Sequence, residues 1–406
     1  MGKPKLRFKA DDGSDFPNWE EKTLGELCEP LTYGMNAAAT KFDGENRYIR
    51  ITDIDDETHA FLSNDVVSPS GELDDKYLVK KGDILLARTG ASTGKSYLYH
   101  PKDGKLFYAG FLIKAHVLPS SDDYFIYSQT LTDRYGKWVK TTSMRSGQPG
   151  INANEYASYS FSVPSLPEQR KIAGLLSAVD DVISAQEAEV AAWEKRKKGV
   201  MQKLFSQEVR FKADDGSDFP DWEEKTLGEL ATLFTGKSFT SELSESGRYV
   251  VMDMGSVSSD GLIIDSKLTD SNRDLLRKGD LIMPKDDIGG GLIIGKTAYI
   301  PCDKKYVCGD HVYRLRFDND IDALFMHYEI NSSRIQRRLR RKVTGSAQLG
   351  LNSKSVLYEI VSVPSFPEQR KIADCLASLD DVIAKAKDEL DAWRELKKGL
   401  LQQMFV

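Results

Sequence analysis

The chain has 406 residues, of which 40% are hydrophobic, 29% charged and 10% aromatic. This composition supplies enough apolar material for sizeable cores and excludes a chain that is disordered over most of its length. The 56 basic and 62 acidic residues give a net charge of −6, which taken alone speaks against a nucleic-acid partner.

The beginning of the chain carries no targeting signal. Met1–Leu6 lacks the apolar run of a secretory signal, and no later stretch approaches the roughly 18 apolar residues of a membrane span. The four cysteines, Cys28, Cys302, Cys308 and Cys375, are too few for a disulfide framework in so long a chain. We therefore expect a cytoplasmic protein with free thiols and no membrane partner.

A leader segment occurs twice in the sequence. Residues 7–27 recur at 210–230, and the only change is from Asn18 in the first copy to Asp221 in the second. The length of the chain also fits two domains of ordinary size. The sequence is therefore best read as one unit repeated, which decides the fold before any single element does.

A second repeated block follows each variable insert. Residues 162–205 recur more loosely at 362–405, and the inserts, at about 28–161 and 231–361, match each other only in outline. Two nearly constant frames thus hold two divergent inserts.

Within the inserts, local patterns predict a mixture of strands and helices. The turn and strand at 80–88 parallel those at 277–285, and the loop at 147–152 parallels that at 347–352. Dense β-branched and aromatic runs predict further strands at 107–118 and 307–317, and the spacing predicts one helix near 125–140 and another near 325–342. Each insert is therefore predicted to be a sheet-containing globule.

The segments after Pro167 and Pro367 carry a heptad pattern that persists for about five heptads. A helix of roughly 39 residues is about 58 Å long at 1.5 Å per residue, so we expect two rods that pack antiparallel as an internal coiled coil. Lys197 and Lys397, which interrupt the apolar stripe, are expected at seam ends or against a partner. The alternative is a pair of ordinary core helices. The predicted helix-pairing seam is Ile172, Leu176, Val179, Ile183, Val190, Trp193, Ile372, Leu376, Leu379, Ile383, Leu390 and Trp393.

Each candidate catalytic or metal-binding motif in the sequence is incomplete or lies in the wrong structural context. Residues 290–297 match the phosphate-loop pattern GxxxxGK[ST], but the sequence that follows has the pattern of a strand, where a phosphate loop must open a helix. Cys302, Cys308 and His311 lack both a fourth ligand and a standard zinc spacing. The five histidines stand singly, and neither an Asn-Pro-Pro-Tyr nor an Asp-Pro-Pro-Phe run of amino-methyltransferases is present. We predict no catalytic residue and no metal.

Cations concentrate at corresponding places in the two inserts. They lie at the end of the predicted helix of each insert and in the loops beside it. Such clusters are often only solvated, yet their recurrence beside Gly- and Ser-rich turns favours contact with phosphate or with the guanine edge. The two inserts together are also neutral, because the acidic excess lies in the frame. The predicted DNA-binding residues are Arg88, Lys95, Arg134, Lys137, Lys140, Arg145, Lys285, Lys296, Arg334, Arg337, Arg338, Arg340, Arg341 and Lys342.

Together these motifs resemble the specificity subunit of a type I DNA restriction–modification system. The resemblance rests on the W-E-E-K-T-L-G-E-L leader, the K-G-D-[IL] turn and strand, and P-[LF]-P-E-Q-R-K-I-A at the start of each heptad helix, and it covers essentially the whole chain. It implies a mixed α/β (α+β) chain with a pseudo-twofold internal repeat, in which two globular target recognition domains are separated by two long antiparallel coiled-coil helices. The implied segments are 1–165, 166–209, 210–365 and 366–406.

The resemblance also implies a function. Each globular domain would read one half of a bipartite, interrupted site in double-stranded DNA, and the helices would set the gap and dock two methyltransferase subunits, with two restriction subunits completing the complex. S-adenosylmethionine, ATP and magnesium are implied only for those partners, and this chain would be non-catalytic. The alternatives are a stand-alone architectural or regulatory DNA-binding protein and a self-contained DNA methyltransferase or NTPase.

Overall fold

The chain divides into two compact units, which are described separately. Unit 1 holds the residues up to Glu187 and those from Asp388 onward, and unit 2 holds Ala188–Lys387. Among the described residues, no helix combines the length and the apolar content that crossing a lipid bilayer requires. The computed structural model describes residues 4–144, 148–265, 267–288, 290–345 and 349–405.

Unit 1 is built on short strands. Its central sheet has the antiparallel order β2-β9-β6-β7, and every residue of β6 is buried, as its inner position requires. β3 pairs with β5, β4 runs parallel to β8, and β1 of the leader pairs with β10 at the end of the insert. The strands are β1 (Glu20–Thr23), β2 (Thr32–Tyr33), β3 (Ala39–Lys41), β4 (Arg47–Ile49), β5 (Val67–Pro69), β6 (Asp83–Ala87), β7 (Ser96–Leu98), β8 (Leu106–Tyr108), β9 (Leu112–His116) and β10 (Ser160–Val163).

The insert of unit 1 has two short helices where the sequence predicted one. The prediction of a continuous helix near 125–140 is wrong because the Thr132 side chain accepts a hydrogen bond from the backbone N–H of Tyr135 and so begins a new helix. Three 3₁₀ turns also occur, at Ile51–Asp53, Asp75–Tyr77 and Pro101–Asp103. The helices are α1 (Leu24–Leu27), α2 (Asp123–Gln129), α3 (Asp133–Thr142), α4 (Ala153–Ala157) and the long α5 (Leu166–Phe205), whose second half belongs to unit 2.

Unit 2 repeats this plan with differences in its loops. The strands are β11 (Glu223–Thr226), β12 (Ala231–Thr235), β13 (Tyr249–Met252), β14 (Leu268–Thr269), β15 (Leu281–Pro284), β16 (Asp286–Asp287), β17 (Ala298–Tyr299), β18 (Tyr306–Cys308), β19 (Val312–Phe317), β20 (Leu349–Gly350) and β21 (Ile360–Val363). The helices are α6 (Leu227–Leu230), α7 (Ala323–Asn331), α8 (Ser333–Arg340), α9 (Ser353–Leu357) and the long α10 (Phe366–Met404), whose second half belongs to unit 1. Two 3₁₀ turns lie at Thr240–Glu242 and Met254–Ser256.

The central sheet of unit 2 follows the topology of its counterpart in unit 1, whereas the smaller sheets differ. The central sheet has the order β12-β19-β15-β17, a second sheet has the order β14-β13-β18, and β16 pairs with β20. β11 of the second leader pairs with β21 in the way that β1 pairs with β10. The predicted helix near 325–342 is again two helices, because the Ser332 side chain caps the N-terminus of α8 at the backbone N–H of Ile335.

Each leader folds back onto the first turn of a long helix. In unit 1 the Arg7 guanidinium donates to both carboxylate oxygens of Glu168, at 2.9 and 2.7 Å, and to the carbonyl of Pro17. Glu168 is fully buried, as is Gln169, whose side chain accepts from the backbone N–H of Asp122 and donates to the carbonyl of Pro164. The P-E-Q-R motif therefore joins the leader, the insert and the helix.

The core of unit 1 is completed by both long helices. Ile172 and Leu176, at the start of α5, are buried in the same apolar cluster as Met404 and Phe405 at the end of α10. Phe405 stacks on Phe125 of α2 with ring centroids 5.4 Å apart. The first residues of the predicted seam thus pack into a globular core.

The core of unit 2 is completed in the corresponding way. Ile372 and Leu376 of α10 share its cluster with Leu204 and Phe205 of α5. Each globule therefore uses the start of one long helix and the end of the other.

Within unit 1 the two long helices run antiparallel. Asp180 of α5 pairs with Lys397 of α10 at 2.7 Å, and Glu187 pairs with Arg394 at 2.8 Å, so the partner number falls as the α5 number rises. Between these pairs Ile183 is buried.

Unit 2 shows the same direction, with Glu194 paired to Lys387 and Lys197 paired to Asp380. The predicted antiparallel pairing of two long helices is therefore confirmed. Lys197 and Lys397 were expected at seam ends or against a partner. The first position is wrong, because both lie within the helices and pair with an aspartate of the other helix, and contact with a partner stays a prediction. Of the remaining predicted seam residues, Val179, Val190, Ile383 and Leu390 are buried, and Trp193, Leu379 and Trp393 are half-buried.

Candidate nucleic-acid interface

In unit 1 three chain segments meet where the buried strand β6 ends. The backbone N–H of Arg88 donates to the carbonyl of Phe111 at 3.0 Å, and the Arg88 carbonyl accepts from the N–H of Ile151 at 2.9 Å. The N–H of Gly90 donates to the carbonyl of Pro149 at 3.0 Å. We call residues 88–94, Phe111 and residues 148–151 the unit 1 corner, since these backbone bonds hold them together.

The cation-bearing helix α3 packs against this corner. The Tyr135 hydroxyl donates to the carbonyl of Gly94 at 2.9 Å. Gly94 has φ of +93°, and a Cβ there would lie 2.6 Å from a methyl carbon of Val139, so both the turn and the close approach of α3 need glycine. Lys137 and Lys140 are exposed on the same helix. The fold therefore brings the predicted cations of α3 close to the loop that begins at Arg88.

Side chains of the unit 1 corner combine positive charge with exposed aromatic rings. The Arg88 side chain is half-buried, and its guanidinium carbon lies 4.8 Å from the ring centroid of Tyr33. Tyr33 is 43% exposed and Phe111 62% exposed. An arginine beside exposed aromatic rings is suited to bind a phosphate or a guanine edge, and the rings are suited to stack on a base.

Unit 2 builds a corner with the same backbone bonds. The N–H of Lys285 donates to the carbonyl of His311 at 3.1 Å, and the Lys285 carbonyl accepts from the N–H of Leu351 at 2.8 Å. Gln336 of α8 donates to the carbonyl of Gly295 at 2.7 Å, so α8 packs on this loop as α3 does on its own. The unit 2 corner comprises residues 285–288, 290–296, His311 and 349–351.

The side chains of the unit 2 corner differ from those of unit 1. Lys285 stands where unit 1 has Arg88, and His311 stands where it has Phe111. The His311 ring bonds Asp286 through Nδ1 at 2.9 Å, and Lys285 Nζ lies 6.0 Å from the centroid of the Tyr313 ring. The same frame thus presents a second set of donors and acceptors.

Half of the predicted cations on and after α8 pair with buried carboxylates. Arg334 pairs with Glu329, and Arg338 and Lys342 both pair with Glu359, at 2.5 to 2.6 Å. Both carboxylates are buried, and burial raises the pKa of Glu329 against the opposing effect of Arg334. These three cations neutralise buried carboxylates.

The other three basic residues of this stretch face outward. Arg337, Arg340 and Arg341 are exposed, and Arg340 lies close enough to the half-buried Lys296 to lower its pKa, although burial of that ammonium is the larger cause. The arginine cluster therefore separates into an inner half that stabilises the unit and an outer half that is open to a ligand.

Of the remaining predicted contacts, Lys95 and Arg134 have partners within unit 1. The Lys95 ammonium donates to the carbonyl of Ile54 at 2.9 Å and pairs with Asp56, so it is largely buried. Arg134 is exposed, donates to the carbonyl of Ser160 at 3.2 Å and lies 3.6 Å from Glu21. Arg145 lies outside the described residues.

The stretch that matches the phosphate-loop pattern does not form one. Residues 290–297 form bends and turns that lead into β17, with no helix to receive a phosphate, as the sequence predicted. All four cysteines are free. Asp253, Asp310 and His311 place ligand atoms within 4.8 Å of one another, but Asp253 pairs with Lys267 at 2.8 Å and His311 bonds Asp286.

Sequence reasoning missed the aromatic part of the unit 1 corner. Tyr33 and Phe111 lie far from Arg88 in the sequence and meet it only through strand pairing. The pairing of Arg338 with Glu359, 21 residues away, was also missed. The repeat could have pointed to Phe111 as a recognition residue. Phe111 and His311 occupy equivalent positions, where each carbonyl accepts the equivalent backbone hydrogen bond, and their side chains differ in chemistry.

The two corners define the class of protein. The chain builds one frame twice and places on it two cationic surfaces of different chemistry, which is the architecture of a repeated recognition module. It belongs to a known family: the model of the type I restriction modification DNA specificity domain matches residues 17–192 and again 220–392.

Curated relatives and solved structures extend over nearly the whole chain. The chain is 26% identical to the type I restriction enzyme MjaVIII specificity subunit of Methanocaldococcus jannaschii, over 98% of this chain and 95% of that protein. It is 23% identical, with the same coverage, to the putative type I restriction enzyme MjaX specificity subunit of that organism.

The fold matches two solved structures. The S subunit of a type I restriction-modification system from M. genitalium has a TM-score of 0.62 at 19% identity and covers 99% of both chains. A chain from a structure of assembly and conformational transition in the type I R-M system has a TM-score of 0.56 at 17% identity, covering 96% of this chain and 97% of that one.

Proposed function

We propose that this chain is the DNA-reading subunit of a type I restriction–modification complex and that each unit reads one half of an interrupted site. The observation that carries the proposal is the pair of corners. Arg88 with Phe111 and Lys285 with His311 stand on the same backbone bonds and offer different chemistry. Two different readers in one chain suit an asymmetric site, much as the two copies of a dimer suit a palindrome.

The charges near each corner support contact with the DNA backbone. Lys137 and Lys140 on α3 and Arg337, Arg340 and Arg341 at the end of α8 are exposed. Phosphate contacts position a protein on the duplex, and contacts to base edges then specify the sequence. The net charge of −6 leaves room for partner subunits to supply much of the phosphate contact.

The long helices suit the role of a spacer. α5 and α10 have 40 and 39 residues, and each connects a core of one unit to a core of the other. In this proposal the helices set the gap between half-sites and dock two methyltransferase subunits, and two restriction subunits join the assembly. Methyl transfer from S-adenosylmethionine and ATP-dependent cleavage with magnesium belong to those partners, and the complex works in the cytoplasm.

The experiment that tests the proposal is co-expression with candidate methyltransferase subunits followed by methylome sequencing. We expect a stable complex and methylation at one bipartite motif with a fixed gap. Methylation or ATP hydrolysis by the purified chain alone would instead make it a self-contained enzyme. DNA binding without any methyltransferase complex would make it a stand-alone DNA-binding protein.

A matched pair of variants assigns the half-sites. Arg88→Ala should relax base preference in one half of the methylated motif only, and Lys285→Ala should relax the other half only. A good bidentate contact to a base is worth about 1–3 kcal/mol of discrimination, so the competing base should gain roughly fivefold or more in methylation. Each variant is the control for the other, and relaxation of both halves by one variant would contradict this assignment.

A further inference from the structure

One carboxylate in unit 1 joins three elements of the fold. Asp180, on α5, accepts a hydrogen bond from the hydroxyl of Tyr124 on α2 and pairs with the ammonium of Lys397 on α10 at 2.7 Å. The Lys397 side chain is 20% exposed and that of Asp180 33% exposed. We call these three residues the Asp180 junction, since the globular domain, the helix that follows it and the other long helix meet there.

Unit 2 contains a junction of the same composition. Asp380, on α10, accepts from the Tyr328 hydroxyl of α7 at 2.7 Å and pairs with Lys197 of α5 at 2.5 Å. The Lys197 ammonium also lies 5.1 Å from the centroid of the Tyr328 ring. We call this the Asp380 junction.

The two tyrosines do not hold equivalent positions in the repeat. Phe125 and Phe325 are equivalent, since each donates its backbone N–H to the aspartate that caps its helix. Tyr124 precedes Phe125, whereas Tyr328 follows Phe325 by three residues, which places the two tyrosines one helical turn apart on the same face. Simple duplication would have kept the tyrosine at one position. The hydrogen bond from a tyrosine hydroxyl to the aspartate is present in both units, although the tyrosine comes from a different position of the repeat in each.

A polar contact within an apolar seam specifies register. Leu176, one turn before Asp180, is buried in the core, and so is Leu376, one turn before Asp380. If one helix slid by a turn, the lysine would face apolar side chains and the aspartate would lose its partner. Single polar residues at seam positions fix the register of coiled coils for this reason.

We infer that Asp180 and Asp380 are positioning residues that hold each reading domain and the two long helices in one register, and so restrict the subunit to a single gap between half-sites. This inference rests on the proposed function and deepens it, because it assigns the choice of gap to two named carboxylates. A slip of one turn moves a helix by about 5.4 Å, which corresponds to one or two base pairs at about 3.4 Å per base pair.

The test replaces both aspartates in the full chain, co-expressed with its methyltransferase partners. The double variant Asp180→Asn with Asp380→Asn keeps the side-chain shape and removes the charge that holds the lysine. Methylome sequencing should show sites with gaps one or two base pairs away from the wild-type gap, methylated at least tenfold more than by the wild type, while the half-site bases stay unchanged. The matched control is Asp181→Asn with Asp381→Asn. These two aspartates are exposed and lie next to Asp180 and Asp380, and the control variant should keep a single gap.

A milder pair keeps the inference falsifiable if the double Asn variant does not fold. Tyr124→Phe with Tyr328→Phe removes only the two hydroxyls and should relax the gap in the same direction by a smaller factor. A single unchanged gap in every folded variant would overturn the inference. A wild-type complex that methylates no bipartite motif would refute the proposed function instead, and this outcome is read from the wild type alone.

Discussion

The arginine–glutamate contacts that hold each leader against its long helix recur in the two units, although Trp19 also donates to Glu168 at 3.3 Å whereas its counterpart Trp222 has no acceptor among the described residues. Arg7 donates to Glu168 at 2.9 and 2.7 Å, and Arg210 donates to Glu368 at 3.1 and 2.8 Å. The glutamine that follows each glutamate bonds the same two backbone groups in both units. Each leader therefore places one arginine on an equivalent buried glutamate, Glu168 in unit 1 and Glu368 in unit 2.

The two corners stand on equally similar backbone bonds but differ in their side chains. Arg88 and Phe111 face Lys285 and His311, and α3 carries exposed lysines where α8 ends in exposed arginines. The two units thus share the buried arginine–glutamate contacts of the leaders but differ in the exposed side chains of the corners. The comparison teaches that the frame restricts sequence through buried charge, whereas the corners are free to change base preference without loss of fold.

Breaking the leader contact should have the largest effect. Arg7→Ala or Arg210→Ala leaves a fully buried glutamate without its charge partner, so each should lower the free energy of unfolding by about 3–5 kcal/mol. Urea unfolding at neutral pH measures the loss, which should be similar for both variants. The control is Lys9→Ala, which removes a surface pair and should cost less than about 1 kcal/mol. Equal costs for Arg7→Ala and Lys9→Ala would contradict the role given to the buried pair.

A difference between the units should appear in acid. His327 of α7 is buried beside Thr297, and burial lowers its pKa to about 4, with Lys197 and Lys296 acting in the same direction and Asp380 against it. Unit 1 has Tyr127 at the corresponding position, which does not titrate in this range. The pH dependence contributed by this histidine therefore belongs to unit 2.

The sign of the effect follows from proton binding. Between about pH 6.5 and pH 4 the unfolded chain binds a proton at His327 that the folded chain does not, so stability is full above this range and is lost as the pH falls. Wild type should lose about 3 kcal/mol more than His327→Gln between pH 7.5 and pH 4, measured by urea unfolding. His100→Gln, at an exposed histidine, is the control and should behave as wild type.

Much of the fold could be predicted because its signals are local. The heptads of α5 and α10 and the turn before β6 each lie within one stretch of sequence and predicted their elements correctly. The break before α3 was missed because the apolar spacing continues across Thr132, and only its capping bond divides the helix. Capping competes with periodicity in such stretches.

The candidate site was predictable in composition but not in geometry. The cations were found by their density, yet Arg338 meets Glu359 and Lys197 meets Asp380 across long separations in sequence that no spacing rule reports. Residue types alone cannot separate a cation that neutralises a buried carboxylate from one that is open to phosphate. That distinction needs the packing of α8 against the strand that follows α9.

The outer arginines of α8 should show the smallest effect per residue, because each contributes one contact among many. Loss of one phosphate contact lowers the slope of log K against log salt by about 0.9. Arg337→Glu with Arg340→Glu and Arg341→Glu should therefore lower the slope for double-stranded DNA by up to about 2.7, and Lys137→Glu with Lys140→Glu by up to about 1.8. Binding of the assembled complex to DNA outside its motif, titrated at several salt concentrations, measures both.

Arg338→Gln provides the contrast, since it removes a cation of the same helix that pairs with buried Glu359. It should lower the melting temperature and leave the salt slope within error of wild type. A slope that falls as much for Arg338→Gln as for a single change at Arg337 would show that the ion pair opens on DNA, and the division of α8 into inner and outer cations would then be wrong. An unchanged slope in the triple variant would remove α8 from the interface and leave the corner loop as the only contact of unit 2 that the proposal predicts.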